Sequence, residues 1–120
     1  MVKESFELVK NIVSTLDNDK GKDILIQEVN EITLVSDYFV LVTGNSTTHV
    51  QSLAENLIDT MKQEKNISAL HKEGITEGNW ALIDFDSVVV HIFLEETRSF
   101  YNLERLWAEA NEITINELDI

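Results

Sequence analysis

The chain has 120 residues, 43% hydrophobic and 26% charged, an ordinary globular composition large enough for one domain with a single core. It contains no cysteine, which excludes a disulfide framework, thiolate chemistry and a zinc–thiolate site. Nine Lys and Arg against 22 Asp and Glu leave a formal net charge of −13. That charge argues against binding to a bare phosphate backbone and either steers a basic partner toward the chain or simply keeps it soluble.

The first 23 residues, MVKESFELVKNIVSTLDNDKGKD, read as an amphipathic helix without an apolar run of signal-peptide length. Val2, Phe6, Val9, Val13 and Leu16 recur at alternating intervals of four and three, which is one helical face, and the turn-forming run Asp17 to Gly21 ends it. DILIQEV (23–29) and YFVLVTG (38–44) have the β-branched and aromatic content of strands, joined by a hairpin or short loop around residues 30–37. After Gly44 the period changes. Val50, Leu53, Ala54, Leu57, Ile58 and Met61 predict a helix that ends near Lys65 and Asn66.

ISALHKEG (67–74) reads as a short polar strand, and NWALIDF (79–85) and SVVVHIFL (87–94) as two stronger ones joined by a tight turn at Asp86 and Ser87. Residues 96–110 predict a final helix with Thr97 as its N-cap and Phe100, Leu103, Leu106 and Trp107 as its apolar stripe. The expected domain is residues 1–109, followed by an acidic tail, 110–120, with no assigned structure or role. The order implies an α/β fold of the mixed-sheet, α+β kind, with about five strands covered by helices. No run approaches the length of a membrane span, so a cytoplasmic location is expected.

Two places invite chemistry. VTGNSTTHV puts Gly44 and Ser46 between a strand and a helix, where backbone N–H groups and the helix dipole can meet an anion. Asp84 and Asp86 could add a magnesium pair, the arrangement of a nucleotidyltransferase. Three features weigh against it. The glycine and hydroxyl suit a helix start for structural reasons alone, Asp is common at hairpin turns, and the only basic residues between Gly44 and Asp86 are Lys62, Lys65 and Lys72. His49, His71 and His91 fit no metal spacing, and a strand histidine is commonly a packed, hydrogen-bonded one. No catalytic residue, metal ligand or cofactor is assigned.

The alternative is a docking face. Strand alternation puts Trp80, Leu82 and Asp84 on one side and Ala81, Ile83 and Phe85 on the other. Burying an unpaired carboxylate is costly, so the Asp84 side is the open one, and Trp80 is partly exposed on it beside acid. Trp and Tyr dominate interface hot spots, and Tyr101 falls just off the apolar stripe of the last helix.

Ordered motifs from about Ser5 to Trp107 sharpen this reading. Ser36-Asp37-Tyr38-Phe39, Thr43-Gly44-x-Ser46, Trp80-x-x-x-Asp84, Val90-His91 and Arg98-x-x-Tyr101-x-Leu103-Glu104-x-Leu106-Trp107 resemble the ribosomal silencing factor family, also called Iojap-related. The resemblance implies a nucleotidyltransferase-like fold without transferase activity. It also implies a homodimer when free. It implies docking on the large ribosomal subunit through a basic β-barrel protein, the fourteenth in large-subunit numbering. The resemblance further implies that docking there blocks joining of the small subunit and lowers translation when nutrients are short. By the same resemblance, Trp80 and Tyr101 match the family's contact aromatics, and Asp84, Glu95 and Glu96 match acidic positions facing the basic partner. Many relatives have Gly-Asp where this chain has Asp86-Ser87, so the Asp-x-Asp pair is not part of the family pattern.

Overall fold

The structure is a computed structural model and describes residues 2–34, 36–102, 105 and 110–118. In chain order the elements are α1 (Val2–Asn18), β1 (Lys22–Glu28), β2 (Tyr38–Gly44), α2 (Thr47–Lys65), β3 (His71–Glu73), β4 (Trp80–Asp84), β5 (Val88–Leu94), α3 (Glu95–Tyr101), β6 (Asn111–Ile113) and α4 (Ile115–Leu118). No described helix is long and apolar enough to cross a membrane.

The helical periodicities translate directly into burial. Val9, Ile12, Val13 and Leu16 of α1 and Val50, Leu53, Ala54, Leu57 and Met61 of α2 are buried in one core cluster. The two helices pack on each other and on the same face of the sheet. The Ser46 hydroxyl caps α2 by accepting from the His49 N–H, and Asn66 closes it in the left-handed conformation, its N–H donating to the Lys62 carbonyl. Gly21 is required where the chain leaves α1, because a Cβ there would lie 2.6 Å from the Val42 side chain and 2.9 Å from the Leu16 carbonyl oxygen.

Among the described residues six strands form one sheet in the order β3-β4-β5-β2-β1-β6. Only β2 and β5 run parallel; every other neighbouring pair is antiparallel. These two central strands are covered on both faces. Val40, Val42, Val88, Val90 and Ile92 point into the helix-side core, while Leu41, Thr43, Val89 and Phe93 are buried on the reverse face. Strand β4 alternates strictly, with Ala81 and Ile83 buried on the helix side and Trp80, Leu82 and Asp84 half-buried on the reverse side.

Three expectations change. The third strand shrinks to the three exposed residues of β3, which pair with β4, while Leu70 before them adds a single bond from its N–H to the Asp84 carbonyl. The last helix starts at Glu95, where β5 ends, so Leu94 rather than Thr97 occupies its cap position, without a side-chain cap bond. That helix stops at Tyr101. Asn102 turns left-handed at φ 51° and returns its N–H to the Arg98 carbonyl. Of the expected stripe, Phe100 is 81% exposed, and Leu103, Leu106 and Trp107 lie outside the described residues. A sixth strand, β6, adds to the expected five by pairing with β1, Ile26 opposite Ile113. Leu118 of α4 enters the core fully buried.

Candidate docking face

The hairpin of β4 and β5 assembles the reverse face. Its register puts Trp80 opposite Phe93, Leu82 opposite His91 and Asp84 opposite Val89. Trp80 and His91 are therefore diagonal neighbours on one face, a separation that large side chains bridge. The indole Nε1–H donates to His91 Nδ1 at 3.1 Å. Around the indole lie the rings of Tyr101 at 5.0 Å, Phe93 at 6.0 Å and His91 at 6.1 Å between centroids, and Phe100 meets Tyr101 edge-on at 5.0 Å. Tyr101 remains 55% exposed.

Helix α3 supplies the outer two rings, and Arg98 ties that helix to the sheet. Its guanidinium lies 5.6 Å from the centre of the Phe93 ring, and Nη1 donates to the Thr43 Oγ1 and to the Asp23 carbonyl, both at 2.8 Å. A bonded, stacked arginine holds a seven-residue helix that intrinsic propensity alone would not stabilise.

Burial, which disfavours the charged imidazole, lowers the His91 pKa from 6.5 to about 4. The ring is neutral at pH 7. Because an indole N–H only donates, the bond from Trp80 places the lone pair on Nδ1 and the proton on Nε2.

The predicted site residues separate into two places. Asn79 accepts the Leu94 N–H, so exposed Glu95 and Glu96 open α3 beside the start of β4, at the Trp80 end. Leu82 sits half-buried at mid-strand. Asp84 lies four residues from Trp80, roughly 13 Å along the strand. Its Oδ1 accepts the Asp86 N–H at 2.7 Å, which holds a turn whose Asp86 adopts φ 78°. Asp84 therefore lies most of a strand's length from Trp80 rather than beside it, and the acidic residues at the Trp80 end of the strand are Glu95 and Glu96.

The nucleotide-site alternative comes apart on the same registers. Gly44 is level with Leu94 and Asp84 with Val89, so the glycine turn and the aspartates lie at opposite ends of the sheet, roughly 17 Å apart. The turn is also internally satisfied, with Ser46 Oγ engaged by the His49 N–H and the Asn45 N–H donating to His49 Nδ1 at 2.9 Å. Among the described residues no three His, Asp or Glu side chains converge as a metal site would require.

Phe93, Phe100, His91 and Arg98 join this cluster beyond the residues expected from the sequence. The first was within reach, since a tight turn at Asp86 and Ser87 by itself folds Phe93 opposite Trp80. Phe100 was hidden by its place in an apolar stripe, which reads as core in any helix that continues.

The fold and this face define an α/β domain whose mixed sheet is closed by two long helices on one side and carries an aromatic cluster beside an acidic helix start on the other. Comparison with known proteins gives its family. The family model described as "Ribosomal silencing factor during starvation" matches residues 2–120. The chain is 39% identical over 103 residues to the ribosomal silencing factor of Bacillus subtilis, covering 86% of each chain. Crystal structures of a Chromobacterium violaceum protein (TM-score 0.82, 32% identity, 85% of this chain and 84% of that one) and a Bacillus halodurans protein (TM-score 0.79, 34% identity, 90% and 97%) share the fold. The chain belongs to the ribosomal silencing factor family, a family of ribosome-associated translation regulators rather than of enzymes.

Proposed function

We propose that this protein represses translation in the cytoplasm by docking on the large ribosomal subunit and obstructing its association with the small subunit when nutrients are limiting. The docking partner is the basic fourteenth protein of the large subunit. Trp80 and Tyr101 are the aromatic anchors, Leu82 is the apolar floor between strand positions, and Glu95, Glu96 and, more distantly, Asp84 supply acid to the partner's cations. The free protein is a homodimer.

The observation that carries this reading is the Trp80–Tyr101 ring pair, 5.0 Å apart, with the exposed Glu95 and Glu96 opening the adjoining helix of a chain of net charge −13. A large, rigid aromatic surface rimmed by charge is the composition of an interface hot spot. The negative field favours a basic protein patch over the surrounding RNA phosphates, which repel it.

The test is sedimentation of the purified protein with separated ribosomal subunits through a sucrose gradient. The expected result is co-migration with the large subunit and a smaller joined-particle peak. Protein that stays at the top of the gradient while joining proceeds normally refutes the reading.

A further inference from the structure

His91 is the one polar side chain on the reverse face of β5, between Val89 and Phe93. Its ladder neighbours are Leu41 on β2 and Leu82 on β4, and its ring contacts are Phe39, edge-on at 5.7 Å, Phe93 and Trp80. A histidine in apolar company is expensive unless its nitrogens are used. Here one of them is used on the very residue to which docking is assigned, 3.1 Å from the indole nitrogen.

An indole has a single donor and no acceptor. Once that donor is consumed inside the protein, Trp80 has no hydrogen bond to offer a partner and presents carbon only. A π-face beside carboxylates is well matched to a cationic side chain, since the ring quadrupole and the acidic groups attract the same charge. Holding a side chain in its bound geometry before association also removes part of the ordering cost of binding.

We propose that His91 is a positioning residue for docking: its Nδ1 holds the Trp80 indole by its N–H, so that the ring meets a cationic partner side chain through its carbon face. The inference rests on the docking reading above, and its test separates the two. Burial keeps the imidazole neutral, so the acceptor is present throughout the physiological range.

Two substitutions divide the ring from the acceptor. His91→Phe keeps an aromatic ring against Phe39 and Phe93 but puts carbon where Nδ1 was. His91→Asn loses the ring but keeps a polar atom at the same distance from the backbone, available as an acceptor. The first measurement is solvent exchange of the two tryptophan indole N–H resonances in the free, full-length, ¹⁵N-labelled protein, with Trp80 distinguished from Trp107 by its absence in Trp80→Phe. The Trp80 signal should be protected in the parent and in His91→Asn and exchange readily in His91→Phe. The second is binding to isolated large ribosomal subunits, where His91→Phe should weaken affinity about tenfold, the equivalent of one lost positioning bond, and His91→Asn should restore most of it.

A purely structural role for the histidine ring predicts the reverse order, with Phe tolerated and Asn damaging, and that result overturns the proposal. So does an indole N–H in His91→Phe as protected as in the parent. Parent-like binding by a His91→Phe protein whose indole bond is lost would overturn positioning while leaving docking intact. A parent that does not bind large subunits at all would overturn the docking reading, and with it the role assigned to His91, even where the indole signal confirms the bond.

Discussion

Substituting Leu118 by alanine tests whether α4 belongs to the core. Helix α4 has four residues, far too few to persist by its own hydrogen bonds, so packing must hold it. Leu118 is 0% exposed and joins the cluster that contains α1, α2 and the helix-side sheet residues. Truncating a buried leucine removes its transfer free energy and leaves a cavity, together about 2–5 kcal/mol. Helix α4 is a single turn and can partly collapse onto the gap, which places the expected loss near the lower end, about 2–3 kcal/mol. For a domain of this size that is roughly 6–15 °C in Tm. Urea and thermal unfolding followed by circular dichroism measure it, with exposed Glu112→Ala on β6 as a control expected to change stability by less than about 0.5 kcal/mol. Docking should be unchanged in the folded Leu118→Ala protein, because β5, β2 and β1 stand between β4 and β6 in the sheet. If Leu118→Ala unfolds within about 0.5 kcal/mol of the parent, the packing argument for the C-terminal segment is wrong.

Trp80→Ala should weaken binding to large subunits by about 2 kcal/mol or more, roughly thirtyfold, in the sedimentation assay; parent-like binding would remove Trp80 from the interface. Raising salt from about 50 to 300 mM should weaken binding severalfold, because the charge attraction is partly screened, and an affinity indifferent to salt would refute the electrostatic part of the reading. His91 makes stability pH-dependent. Its folded pKa of about 4 lies below the unfolded 6.5, so between those values the unfolded chain binds a proton that the folded chain refuses. The associated stability is whole above pH 6.5 and is lost as pH falls toward 4, up to about 3 kcal/mol. Urea midpoints of the parent minus those of His91→Asn, taken across that range, cancel the titrating carboxylates; a flat difference would show that His91 titrates normally.

Local pattern was enough for the framework. Apolar residues at helical spacing could bury themselves only as α1 and α2, and the alternation in residues 80–85 left Ala81, Ile83 and Phe85 no place but the core. The Trp80 face and the tight turn followed from the same two-residue period. What local pattern does not contain is where remote segments meet. The three-residue β6 carries too little periodicity to be seen until β1 offers it a partner, and α3 ends at Asn102 because that residue adopts a left-handed turn, not because the apolar pattern stops there. Gly44 and Asp84 look equally available for one site in the sequence, and only the registers of β5 with β2 and β4 put them at opposite ends of the sheet. The aromatic cluster is the clearest case. Trp80, His91, Phe93 and Tyr101 are spread over 22 positions; the local turn of the β4–β5 hairpin aligns the first three, and the long-range bonds of Arg98 to Thr43 and Asp23 anchor the helix that brings Tyr101. Short-range periodicity determines which way a side chain faces; strand pairing and helix docking decide which other side chains it finds there.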